Sequence, residues 1–265
     1  MPYVDLGGLK VYYEEYGEGD PPILFIHGWT ANLNRWRAMI EKFSKYKRVI
    51  ALDLPGHRKS DKPRINYTIE TYKDYILKFM DELKIEKAIV AGHSMGGMIA
   101  QKLAIENQER VLALILIGTS AKVIDSFGML LNTLLARFLL KIMYPTAFRI
   151  ILGKAFSKYF PKDEKKRLIE QWLKENDKYV VRNSFKNFVK YFDTRSELQK
   201  IKAPTLIIVG ELDAMLPPRM SKLLHEKIAD SEFVLIEKGG HEIMLEKPNE
   251  VNYSIERFLK EKGFI

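Results

Sequence analysis

Between the apolar run Ala88-Ile89-Val90-Ala91 and the helical pattern Met98–Ile105 stand only Gly92-His93-Ser94-Met95-Gly96-Gly97. A chain that leaves a buried strand and enters a helix with so little loop must turn sharply at one residue. That residue is held in a strained backbone conformation, and its side chain is pushed out at the tip of the turn. Glycines two before and two after the corner are needed because a Cβ there would meet neighbouring backbone. Gly92 and Gly96 occupy those positions, Gly97 follows where helix and strand pack closely, and Ser94 takes the corner. A hydroxyl raised in this way is a candidate nucleophile. It then requires a base, an acid to orient the base, and donors for a developing oxyanion.

The surrounding pattern supports a sheet enzyme. Val4–Asp5 and Leu9–Tyr13, separated by Gly7-Gly8, read as an opening hairpin. Pro22–Ile26, Arg48–Leu52, Leu112–Ile117 and Thr205–Val209 are short continuous apolar runs, as expected of strands buried on both faces. Glu232–Ile236 reads as a last strand. Helical periodicity covers 69–83, 221–229 and 249–262. Strands alternating with helices imply an α/β fold, a mostly parallel central sheet flanked by helices.

The interval 121–200 breaks the alternation. It reads as helical throughout and is rich in Leu, Phe, Met and Ile, so it is expected to be an inserted helical cap. The core is then 1–120 and 201–265. Lys122–Arg195 carries 16 Lys/Arg against 7 Asp/Glu, and the rest of the chain is balanced, so the whole formal charge of +9 sits in this segment. Leu130, Leu131, Leu134, Leu135, Phe138, Leu139 and Ile142 form a wide apolar stripe, much of it expected to pack on the core.

Composition narrows the chemistry. With no cysteine there is no disulfide, cysteine catalysis or thiolate metal site. No ligand cluster suggests a metal, so cofactor-independent chemistry is expected. Met1-Pro2-Tyr3-Val4-Asp5 lacks a signal pattern and no apolar run approaches a membrane span, so a cytoplasmic location is expected. Abundant Lys and Glu with four Gln fit a heat-adapted surface.

In a parallel sheet the loops at the carboxyl ends of the strands converge. Four carry reactive groups: His27-Gly28-Trp29, the Ser94 corner, Gly210-Glu211-Leu212-Asp213 and Gly239-Gly240-His241-Glu242. His241, on a glycine-led loop, is the base candidate by elimination. His27 is read as bracing its turn, His57 as lying at the rim, His93 as displaced sideways and His225 as solvated on a surface helix. Asp213 is the acid candidate, able to accept the second ring N–H and fix the tautomer. Asp125 is held in reserve, Asp53 is assigned to its turn, and Glu211 is expected to point away.

These motifs, with Asp53-Leu54-Pro55-Gly56 among them, resemble the α/β-hydrolase family in their order and cover the chain end to end apart from the cap. The resemblance implies a Ser94, Asp213, His241 triad. It also implies an oxyanion hole formed by the backbone N–H groups of Trp29 and Met95. One departure stands out. Relatives often carry Gly-x-Gly-x-Ser where this chain has Gly56-His57-Arg58-Lys59-Ser60.

Ser94 argues against the epoxide hydrolases and haloalkane dehalogenases of this fold, which use Asp at the corner. Ser94-Met95-Gly96-Gly97 resembles both carboxylesterases and carbon–carbon bond hydrolases of ring-fission products. The latter usually place Trp after the histidine, and Glu242 stands there instead, favouring an esterase or monoacylglycerol-lipase-like enzyme. Enol-lactone hydrolysis is a neighbouring alternative. A ligand receptor, or a perhydrolase or lyase retaining the triad, is an alternative of another class. An apolar cap suits an ester with an acyl chain or ring. Its cationic surface suits an anionic substrate or transient contact with anionic lipid, against the plain alternative of a solvated basic face. Nucleic acid is not expected, because no binding motif accompanies the charge.

Overall fold

Ile23-Leu24-Phe25-Ile26 points apolar side chains to both sides of its backbone, and all four residues are fully buried. Such a strand is stable only in the middle of a covered sheet. In the computed structural model, which describes residues 2–124 and 127–265 and only the backbone of 127–132, it is strand β3 (Ile23–Ile26). The other strands are β1 (Tyr3–Asp5), β2 (Lys10–Tyr16), β4 (Val49–Leu52), β5 (Ala88–His93), β6 (Val111–Ile117), β7 (Thr205–Gly210) and β8 (Ser231–Ile236). They form one eight-stranded sheet in the order β1-β2-β4-β3-β5-β6-β7-β8, in which β2 pairs antiparallel with both β1 and β4 and the remaining pairs are parallel.

The pleat sorts β3 into two cores. Leu24 and Ile26 face α2 (Ile69–Glu82) and α3 (Met95–Glu106), while Ile23 and Phe25 face α1 (Arg37–Phe43) and the closing α10 (Pro248–Glu261). In α10, Val251, Ile255, Phe258 and Leu259 follow helical spacing and are fully buried, with Pro248 and Glu250 in the first turn and Lys260 in the last. Each such side chain contributes about 1.5–3 kcal/mol by leaving water.

β3 connects leftward to β4 and the chain returns to the right as β5. The loops after β3 and β5 therefore diverge, leaving a crevice at their carboxyl ends. Between β6 and β7 lie α4 (Phe127–Ile142), α5 (Tyr144–Gly153), α6 (Lys162–Glu175) and α7 (Lys178–Tyr191). The expectation of helix throughout 121–200 holds for these four helices but not for the whole interval: 121–124 and 154–161 are turns and irregular chain, and helix ends at Tyr191. From Phe192 the chain is extended, with Asp193 bridging to Lys122, before a short 3-10 turn at Leu198–Lys200. The expected packing of much of the apolar stripe is also overturned: Leu134, Leu135, Phe138 and Ile142 are exposed, Leu139 packs only partly against the core, and it is Leu140, outside the stripe, that is buried. The side chains of Leu130 and Leu131 lie outside the described residues.

Three short helices escaped or exceeded the sequence reading. These are α1, α8 (Pro218–Lys227), which starts on its proline, and α9 (Ile243–Glu246) directly after the His241 loop.

Candidate active site

The turn after β5 is tighter than its sequence suggested. β5 ends at His93 and α3 begins at Met95, so Ser94 alone makes the corner. Its backbone has φ 53° and ψ −116°, in the left-handed half of the map that a non-glycine residue occupies only under constraint. Close packing supplies the constraint. A Cβ on Gly92 would collide with the Gly96 carbonyl, and one on Gly96 with the Ile26 carbonyl.

Residues from four loops meet at the crevice. His241 Nδ1 lies 2.7 Å from Asp213 Oδ2, and its Nε2 lies 2.9 Å from Ser94 Oγ. Asp213 is aimed by its own loop, since its Oδ1 accepts the N–H groups of Met215 and Leu216 at 2.9 and 2.8 Å. An ionised carboxylate only accepts, so Nδ1 carries the ring proton and Nε2 presents a lone pair to the Ser94 hydroxyl. Burial pushes the His241 pKa down, but the Asp213 charge and hydrogen bond outweigh it, leaving the ring above its ordinary value. Asp125 lies outside the described residues.

The other histidines brace or stand apart. His93 Nε2 donates to the His241 carbonyl at 2.9 Å, and burial lowers its pKa to about 4, so it is a neutral strut under the His241 loop. His27 donates to the Gly28 carbonyl at 2.8 Å and accepts the Leu54 N–H at 2.9 Å. His57 is buried rather than at the rim, its Nδ1 donating to the Pro55 carbonyl at 3.2 Å. His225 is exposed beside Ser231. Asp53 accepts the N–H groups of Leu33 and Lys59, and Glu211 accepts that of Lys238.

Met95 opens α3, where first-turn N–H groups lack an acceptor within the helix. Trp29 lies in the loop after β3. Among the described residues neither of these two N–H groups has a backbone partner outside its own element. The Trp29 indole donates to the Val181 carbonyl at 3.1 Å and packs 4.8 Å from the Phe185 ring, tying this loop to α7. Ser94 opens onto a narrow cleft lined mainly by Trp29, Met98, Val123, Leu152, Phe185 and Phe188.

One buried pair had no signal in the sequence. Arg35 Nε lies 2.9 Å from Glu242 Oε2, and the two side chains are 4% and 7% exposed. The helical segment is also stitched to the histidine loop, because Ala155 accepts the N–H groups of both His241 and Glu242 at 2.7 and 3.0 Å. These contacts join residues more than eighty positions apart, so no local pattern announces them.

Residues 21–248 match the family model described as the α/β hydrolase fold. The chain belongs to this family. It is 30% identical over 245 residues to the pimeloyl-[acyl-carrier protein] methyl ester esterase of Hamiltonella defensa, covering 88% of this chain and 90% of that one. The esterase EaEST from Exiguobacterium antarcticum superposes with a TM-score of 0.88 at 26% identity, over 96% of each chain. A dihydrolipoyllysine-residue acetyltransferase component of an acetoin cleaving system from Cupriavidus necator is 38% identical over 116 residues, 44% of this chain and only 31% of that protein's length.

The 56–60 loop, where the chain departs from the α/β-hydrolase pattern, carries backbone strain at one residue. Arg58, standing where relatives often have glycine, adopts φ 37°. Its guanidinium donates to Asn32 Oδ1 at 3.1 Å and lies 3.7 Å from Glu175 Oε1 of α6.

Proposed function

We propose that this α/β-hydrolase is a serine hydrolase that cleaves carboxylic esters of apolar acyl or aromatic groups through an acyl-enzyme. The observation that carries this reading is the pair of hydrogen bonds Ser94–His241–Asp213 beneath an apolar cleft. The esterase relatives support the same bond type. Glu242 supports an esterase over a ring-fission hydrolase, because its carboxylate is committed to Arg35.

In the acylation step His241 Nε2 takes the Ser94 proton as Oγ bonds to the ester carbonyl carbon. The resulting oxyanion is held by the N–H groups of Trp29 and Met95, a type of donor worth about 3–4 kcal/mol. The carbon–oxygen bond to the alcohol then breaks, and the alcohol leaves with the proton from His241. Water, activated by the same ring, repeats the sequence and releases the acid. Asp213 holds the tautomer and favours the transient imidazolium.

Residues 121–200 act in this reading as a cap on a core of 1–120 and 201–265. Phe185, Phe188 and Leu152 give the cleft its apolar wall, and the net basic charge draws anionic substrates. No described helix is long and apolar enough to cross a membrane. A cytoplasmic enzyme without cofactor fits the cysteine-free chain. Ion pairs that share partners, such as Lys42–Glu256–Lys260 and Glu232–Arg257–Glu261, support heat adaptation.

The test is a panel of p-nitrophenyl esters from acetate to palmitate. A burst stoichiometric with protein followed by steady turnover, highest on short to medium chains, is expected. A burst alone identifies a receptor, and no burst with turnover of ring-fission products identifies a carbon–carbon hydrolase.

A further inference from the structure

Helix α4 turns apolar side chains to solvent. Leu134, Leu135, Phe138 and Ile142 are 48, 55, 58 and 56% exposed. On a helical projection they share about 100° of arc. Met143 and Ile150 extend the patch to α5. Among the described residues, every exposed large hydrophobic side chain other than tyrosine lies on this pair of helices or their junction, except Leu235. Soluble monomers rarely leave such side chains clustered without a use for them.

The helices of this layer carry basic residues, and Arg149 of α5 is paired with Glu170 of the neighbouring α6. α4, α5 and α7 contain no Asp or Glu but seven Lys or Arg. Arg137 of α4 and Lys186 and Lys190 of α7 all lie near enough to Tyr191 to lower its phenol pKa, Lys190 most. Arg182 of α7 donates to the Leu140 carbonyl at 2.7 Å and to that of Lys141, fastening α4 to the helix whose Phe185 and Phe188 line the cleft. The apolar patch is thus the outer skin of the wall whose inner side meets substrate.

We propose that the α4–α5 face docks on an anionic phospholipid bilayer, from which the cleft takes apolar esters. Hydrocarbon covers Leu135 and Phe138, and lipid phosphates face the Lys and Arg residues around them. At 16 residues α4 is too short to span, so it lies in the interface. A second copy of the chain is the poorer occupant, because a two-fold contact would set the basic residues of α4 and α7, helices with no Asp or Glu of their own, against their copies. The uptake of esters rests on the hydrolase reading, whereas docking does not.

The test is co-sedimentation of the full chain with extruded vesicles of equimolar phosphatidylglycerol and phosphatidylcholine, against vesicles of phosphatidylcholine alone. Wild type should pellet with the anionic vesicles, and less so as salt rises. Leu135→Asp with Phe138→Asp should reduce the partition by at least about tenfold while p-nitrophenyl acetate turnover is kept. Lys186→Ser with Lys190→Ser should abolish the preference for anionic vesicles. Ser94→Ala should pellet as wild type does, so loss of turnover and loss of docking are read separately. Failure of wild type to pellet, or equal pelleting of the Leu135→Asp, Phe138→Asp variant, overturns the proposal. A dimer in sedimentation velocity that this variant dissociates, with no vesicle binding, assigns the face to a second copy.

Discussion

The Arg35 guanidinium sits 3.4 Å from the centroid of the Trp172 ring in α6 while its Nε reaches Glu242 at 2.9 Å, one residue beyond His241. Burial raises the Glu242 carboxyl, but the Arg35 charge outweighs it and holds the pKa below the ordinary value. One buried cation therefore links the helical segment, the loop after β3 and the loop that carries His241.

Breaking this pair from one side strands a buried charge. Arg35→Met should destabilise the protein by about 3–5 kcal/mol, measured by urea unfolding. Arg35→Met with Glu242→Leu should recover much of that loss. If the double variant is as unstable as the single one, packing of Arg35 on Trp172 matters more than the charge.

The triad should behave as one unit. Ser94→Ala or His241→Ala should each lower turnover by several orders of magnitude, and the two together scarcely further. Asp213→Asn should fold normally and lose about 10⁴-fold in kcat, since the amide can donate to Nδ1 and fix the wrong tautomer. Near-wild-type turnover in this variant would remove Asp213 as the acid.

The pH dependence follows from the His241 shift. As the proposed base, His241 works only when neutral, and Asp213 raises its pKa above about 6.5, the ordinary imidazole value. Activity should rise through a midpoint above that value, and Asp213→Asn and Glu242→Gln should each move the midpoint of residual activity down. Stability runs the other way. A folded-state pKa raised above the unfolded one contributes stability that is fully present below about pH 6.5 and is lost as pH climbs through the folded value. Thermal melts of Ser94→Ala across this range would show it.

Arg58 exchanges backbone strain for a contact with α6. Arg58→Gly should relieve roughly 1 kcal/mol at φ 37° and forfeit the Asn32 and Glu175 contacts. The expected result is a Tm near that of wild type. A large fall would show that the Arg58 tether dominates.

Gly96→Ala is expected to prevent folding or cost more than about 4 kcal/mol, because the new methyl would meet the Ile26 carbonyl in the centre of the sheet. Recovery of soluble, active protein would mean that α3 can move away from β3.

The sequence alone determined the fold class and offered His241 and Asp213 as candidate partners of Ser94, with Asp125 in reserve. Continuous apolar runs can be satisfied only between two covered faces, and reactive residues just past such runs must lie at one edge. His241 and Asp213 were legible for that reason, and Gly92 and Gly96 because a one-residue turn leaves no space for a side chain. Tertiary structure alone decided which side chains met water and which charges met each other. The α4 pattern has Leu and Phe on more than one side, so periodicity could not say which face packs inward; contact with α5 and α7 buried Leu140 and left Phe138 out. Arg35 and Glu242 carry no local mark, and their pairing depends on the β3 and β8 loops converging with α6, a contact between residues about two hundred positions apart that local sequence pattern does not encode.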